Sequence, residues 1–137
     1  MKTRRKAREL ALQALYELEL TRHPLEEVLS QRITEKPLKP EGEAFMRALV
    51  AGVLAHARTL DAQIARHAPE WPLDQMAMVD RSILRIALWE FAVGRQTPVK
   101  VAINEAVELA KEFGSESAPR FINGVLGAVA AELEKET

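Results

Sequence analysis

Apolar residues recur at intervals of three and four along nearly the whole chain, and nowhere do they alternate singly with polar ones. That is the period of helices with one buried face, and it points away from a sheet. From Thr3 to Leu20, the residues Ala7, Leu10, Ala11, Ala14, Leu15 and Leu18 follow this spacing in a stretch free of proline and glycine, which predicts a first helix. His23-Pro24 restarts the pattern with proline in a first-turn position, and Leu25, Val28, Leu29 and Ile33 predict a shorter second one. Lys36-Pro37-Leu38-Lys39-Pro40 reads as a loop with two helix breakers.

Phe45, Leu49, Val53, Leu60 and Ile64, with Met46, Val50 and Leu54 beside them across Gly52, predict a long helix or two in series, ended by Ala68-Pro69-Glu70-Trp71-Pro72. From about Asp74 to Val93 apolar residues fall on most sides of the helical wheel, as expected of a central, buried helix. Gly94 is read as a C-terminal cap and Thr97-Pro98 as the next start. Ala102, Ile103, Ala106, Ala110 and Phe113 continue to a stop at Gly114. A last helix after Ser117-Ala118-Pro119 carries Phe121, Ile122, Val125, Leu126, Val129 and Leu133. Its Gly124 and Gly127 cost helix propensity and suggest close approach to a neighbour. The expected fold is all-α, a compact bundle of six or seven helices. At 137 residues, 47% of them hydrophobic, one domain spanning 1–137 can bury a core without staples.

Catalysis requires a nucleophile, base or metal held in a cleft, and such groups are scattered here. There is no cysteine, the three histidines show no ligand spacing, aspartate occurs only at 61, 74 and 80, and no glycine-rich phosphate loop is present. No enzymatic activity, cofactor or metal site is expected. Glu105, Glu108 and Glu112 share a helix side, but such a run reads as a solvated face paired with lysines such as Lys111. No stretch approaches the roughly 18 apolar residues of a membrane span, and no secretion signal opens the chain, so a soluble cytoplasmic protein is expected.

Charge supplies the informative asymmetry. The formal net charge is −1, yet five of the 19 lysines and arginines (Lys2, Arg4, Arg5, Lys6 and Arg8) precede the first acid, Glu9. That leaves 14 bases against 20 acids, or −6, over the remainder. Cations in a helix's first turns oppose its macrodipole, at about 0.3–1 kcal/mol each when exposed. A basic run is either a solvated tail or a phosphate surface; in the second case nearby aromatics stack unpaired bases. Tyr16, two to three turns along the same helix, suits the far end of such a track or a core edge. Phe113 and Phe121, flanking the 114–120 loop, suit stacking or ordinary packing.

Three stretches resemble the NusB family of transcription antitermination factors. They are Arg4 to Glu9 leading into Ala11-Leu12-Gln13-Ala14-Leu15-Tyr16, Asp80 to Glu90, and Pro98 to Lys111 continuing through Phe113-Gly114 to Phe121-Ile122-Asn123-Gly124-Val125-Leu126. The resemblance implies an all-helical domain of two sub-bundles. It implies binding to the single-stranded boxA segment of nascent RNA together with the ribosomal protein NusE. With other Nus factors on RNA polymerase, that assembly promotes read-through in ribosomal RNA operons. On matching positions the RNA surface falls on Lys2, Arg4, Arg5, Lys6, Arg8, Tyr16, Phe113, Ser117 and Phe121, and the partner surface on Asp74, Asp80, Glu90 and Val99. Val99 stands where family members often carry tyrosine, and Ser117 where some carry aspartate. The alternatives are the NusB-like domain that precedes ribosomal RNA cytosine methyltransferases, whose cofactor-binding strand-helix units are not present, and a protein-binding helical adaptor.

Overall fold

The computed structural model describes residues 2–136. Seven α-helices are found among the described residues: α1 (Lys2–Leu20), α2 (Leu25–Glu35), α3 (Pro40–Ala55), α4 (Ala57–His67), α5 (Met78–Leu88), α6 (Val99–Phe113) and α7 (Ala118–Glu136). A 3-10 turn at Leu73–Gln75 leads into α5, and α5 runs on into a π-helical turn at Trp89–Val93. Pro24 and Pro98 sit at the N-caps of α2 and α6, the two starts the sequence suggests, while Pro40, expected as a breaker within the loop, instead opens α3. The long third run resolves into two helices in series, with a break at His56.

α1 packs against α2 and α3, while α6 and α7 pack on each other, and α4 lies against α7. α5 touches α1, α3, α4, α6 and α7 and so joins the two groups. Ile83, Leu84, Ile86, Ala87 and Leu88 are all buried to 1% exposure or less, in keeping with a helix apolar on most sides. Around it Met46, Leu49, Ile64, Ile122 and Leu126 complete the core. Two-point ion pairs tie the periphery, for example Arg85 to Asp61 at 2.7 and 2.8 Å between α5 and α4.

The π turn changes the reading of the glycines. Gly94 donates its N–H to the Trp89 carbonyl at 2.7 Å, one residue beyond the α spacing. Trp89, where α5 passes into this turn, packs against α3, where the indole lies over Gly52: a Cβ there would meet ring atoms at 2.2 Å. A Cβ on Gly94 would meet the same ring at 2.7 Å. Trp89 is thus held between two glycines. Gly94 is the C-cap of this turn, as expected, but in a right-handed conformation with φ −74°; the left-handed residue is Arg95, with φ 51°. The expected close approach at Gly124 and Gly127 is absent. A Cβ at either meets nothing within 4 Å, because both face outward from α7.

Candidate nucleic-acid interface

The basic head forms the first two turns of α1, with no acid in its first turn. Its five cations have different fates. Arg8 falls on the stripe that carries Ala11, Leu12 and Leu15, and it is 3% exposed. Its Nε and Nη2 donate to the two Glu90 carboxylate oxygens at 2.9 and 2.7 Å, and Nη1 reaches Glu105 Oε1 at 3.5 Å. Glu90, from the π turn, is 1% exposed and also accepts from the Thr97 hydroxyl at 2.6 Å. Two charges removed from water are tolerable only with such complete pairing.

Arg5, one turn earlier, spans both oxygens of Glu105 at 3.0 and 2.7 Å while half of its side chain stays in water. The Arg5 hydrogen bonds hold the Glu105 carboxyl below the usual carboxylate range against the opposing effect of burial, and the same contact raises the Arg5 guanidinium further. The guanidinium carbons of Arg4 and Arg8 lie 4.3 and 5.1 Å from the centre of the Phe45 ring on α3.

Arg8 therefore does not stand at a phosphate surface, and Arg5 is already neutralised by a carboxylate. Glu105, expected on a solvated face, is the buried acceptor for both. Lys2, Arg4 and Lys6 are exposed and form no ion pair among the described residues. The accessible positive charge of the head is these three.

From Lys6 the exposed face of α1 continues through Glu9 and Gln13, which line a cleft with Lys36, Pro37 and Leu38 of the α2–α3 connection. Gln13 also lines the next cavity, of about 280 Å³, with Tyr16, Phe113, Arg32, Leu12 and Val79. Tyr16 is 44% exposed, and Phe113, at the end of α6, is half-buried. The two aromatics thus converge, with the Arg32 guanidinium beside them. Glu9 interrupts the positive character of this face, and burial, reinforced by the neighbouring Glu112 carboxyl, pushes its pKa up.

Ser117 is exposed in the loop before α7. Phe121 does not join Tyr16 and Phe113; it pairs with Trp71, ring centroids 6.1 Å apart, in a separate cleft. Of the residues expected at a partner surface, Asp74 and Val99 are exposed, on the 3-10 turn and the first turn of α6. Asp80 and Glu90 are inside. Asp80 Oδ1 has no hydrogen-bond partner among the described residues, and burial raises its pKa.

Sequence reasoning overlooked Phe45, Arg32, Lys36 and Trp71 as neighbours of the site. For the buried ion pairs a signal existed. Arg8 shares its helix stripe with Ala11 and Leu15, and Glu105 lies between Ala102, Ala106 and Leu109, so the same periodicity that locates the core places both on it.

Fold and surface define an all-helical domain with a cationic helix terminus and aromatics gathered beside it. The chain belongs to the NusB family, whose model matches residues 5–131. It is 48% identical over 136 residues to the transcription antitermination protein NusB of Roseiflexus castenholzii, covering 98% of this chain and 96% of that one. Its fold matches that of NusB from T. maritima with a TM-score of 0.85 at 32% identity, covering 94% and 91% of the two chains. It also matches a structure of the antitermination factors NusB and NusE in complex with dsRNA, with a TM-score of 0.84 at 27% identity over 94% and 96% of the chains. No helix among the described residues is long and apolar enough to cross a membrane.

Proposed function

We propose that this chain is a non-enzymatic transcription antitermination factor of the cytoplasm, acting as one domain over residues 1–137. It binds the single-stranded boxA segment of nascent RNA together with NusE, and joins RNA polymerase and other Nus factors to promote read-through in ribosomal RNA operons. The observation that carries this reading is the continuity of the Lys2 and Lys6 side of α1 with the Tyr16–Phe113 cavity, with Arg4 a further exposed cation on the side of the same turns that faces Phe45. Cations there hold phosphates, and the aromatic cavity receives unpaired bases, which a duplex does not offer. Family membership supports the antitermination role, and the solved relative in complex with NusE and dsRNA supports NusE and RNA as partners, while the preference for a single strand rests on the aromatic cavity. Asp74 and Val99 remain candidates for the NusE surface. The match covers 96% of the Roseiflexus relative, which leaves no room in that protein for a methyltransferase domain.

The test is binding of a short boxA RNA, with and without NusE, across a salt series. With three phosphates engaged, log affinity falls against log salt with a slope near −2, about 0.7 per phosphate on a single strand. Alanine at Lys2, Arg4 and Lys6 together removes most of that slope, and duplex RNA competes poorly. Affinity independent of salt, or undiminished in the triple variant, overturns the reading.

A further inference from the structure

Trp71 is the largest of the apolar side chains that face water, 53% exposed in the irregular stretch between α4 and the 3-10 turn. It stands on a cleft of about 420 Å³ that Phe121 and Pro69 also wall, with Glu70 and Arg120 on the same lining. At Gly124 no side chain intrudes, so the cleft opens there onto the bare surface of α7. That surface continues along the helix: Asn123, Gly124, Gly127, Ala128 and Ala131 are all exposed. From Gly124 to Ala131, about 10 Å of helix, no residue of this outer face carries a charge or any side chain beyond Cβ. The opposite side of α7, with Ile122, Val125, Leu126 and Val129, is the one buried in the domain.

The two glycines disfavour the helix relative to alanine, and no neighbour within the chain makes use of the space they leave. Space of that kind admits the close approach of another backbone or of a large ring. Charge decides which partner supplies it. Glu70 and Arg120 have opposite signs, form no ion pair among the described residues, and flank the same exposed ring. A protruding indole, a hollow beside it and one free charge of each sign complement themselves. With a second copy turned about a two-fold axis, each Trp71 enters the other's hollow at Gly124, and the adjacent Glu70 meets the other's Arg120, every contact being made twice. A partner of a single sign would satisfy only one of the two charges.

We propose that the Trp71 cleft and the bare outer face of α7 form an interface between two copies of this chain, held by reciprocal insertion of Trp71 and two Glu70–Arg120 ion pairs. The patch is smaller than the roughly 800 Å² per partner of a standard interface, so the dimer is weak and forms with a micromolar dissociation constant. Neither the cationic head of α1 nor the Tyr16–Phe113 cavity belongs to it. Dimerisation therefore leaves both copies of that surface free, and the proposal does not rest on what the surface binds.

Sedimentation of the wild-type protein alone, from low micromolar to submillimolar concentration, tests this, with tryptophan emission read on the same samples. A monomer–dimer equilibrium is expected, and the emission shifts to shorter wavelength as the dimer forms, because Trp71 leaves water while Trp89 is buried throughout. Gly127→Leu weakens the dimer by about ten-fold or more; the monomer keeps its fold, since a Cβ at that position meets nothing within 4 Å, and circular dichroism checks it. Glu70→Arg and Arg120→Glu each weaken the dimer by about ten-fold, and the two together restore it, since the exchanged charges again face each other across the axis. A wild type that stays monomeric over the whole range overturns the proposal. A dimer indifferent to Gly127→Leu and to the charge exchange also overturns it, since such a dimer forms through another face. If NusE or a boxA RNA shifts the Trp71 emission while the wild type remains a monomer, the face belongs to that partner and not to a second copy.

Discussion

The Arg8 guanidinium meets the Glu90 carboxylate through two hydrogen bonds, 2.9 and 2.7 Å long, across 82 residues of chain. Both side chains are almost fully removed from water, so this contact holds α1 to the π turn after α5 and adds no charge to the surface. Removing one partner strands the other. Arg8→Ala and Glu90→Ala are each expected to cost about 3–5 kcal/mol of stability, against less than about 0.5 kcal/mol for Lys6→Ala. Urea denaturation of the three variants checks this, and equal midpoints for Arg8→Ala and Lys6→Ala contradict the assignment.

Glu105 gives the fold a defined response to acid. Its hydrogen bonds with Arg5 lower its pKa from an ordinary 4.5, so the folded state binds a proton there less readily than the unfolded chain. The stabilisation is full above about 4.5 and is lost as pH falls through the lowered value. The stability gap between wild type and Glu105→Gln, measured by denaturation at a series of pH values, is expected to be widest near neutrality and to narrow steadily below pH 4.5.

Glu9 has the opposite sign. Burial, and then the proximity of Glu112, raises its pKa, so its ionised form disfavours folding at neutral pH, and that penalty disappears as the carboxyl protonates. Glu9→Gln is expected to be at least as stable as wild type at pH 7. It also removes a negative charge from the face that carries Lys6, so RNA affinity rises most at low salt. A fall in affinity on this substitution argues against a phosphate track along α1.

Two glycines separate packing from propensity. Glycine to alanine within a helix ordinarily gains about 0.5–1 kcal/mol. At Gly127, where a Cβ meets nothing, that gain is expected in full. At Gly52 the Cβ would overlap the Trp89 ring, and overpacking of about 3 kcal/mol outweighs the propensity, leaving Gly52→Ala destabilised by about 2 kcal/mol. Thermal unfolding of the pair reads both signs.

Helices were legible because each buries a stripe at its own period, and because prolines at 24 and 98 mark starts that no neighbour has to supply; Pro40, read as a breaker, proved to be a start as well. The head was legible as a charge, but not as five individual fates. Arg8 stands apart by its place on the stripe of Ala11 and Leu15, but Arg4 and Arg5 look alike in one dimension, and only the arrival of Phe45 and Glu105 from distant elements tells what each one meets. Gly52 was opaque for a similar reason. Its need for space is set by an indole 37 positions away, a contact that no spacing rule announces. Asp80, with a buried oxygen left unpaired, looked like any acid in a first turn.

The ion pairs of α1 also set an order of events during synthesis. The cationic helix emerges ahead of its acceptors: Glu105 follows Arg8 by 97 residues, so at about 5–20 residues per second the carboxylate arrives roughly 5–20 s later. Until then Arg5 and Arg8 are as exposed as Lys2 and Lys6, and the nascent chain carries a denser positive charge than the finished protein. The neutralised, selective surface comes into being only once Glu105 has followed, and folding itself converts a general polycation into a patterned one.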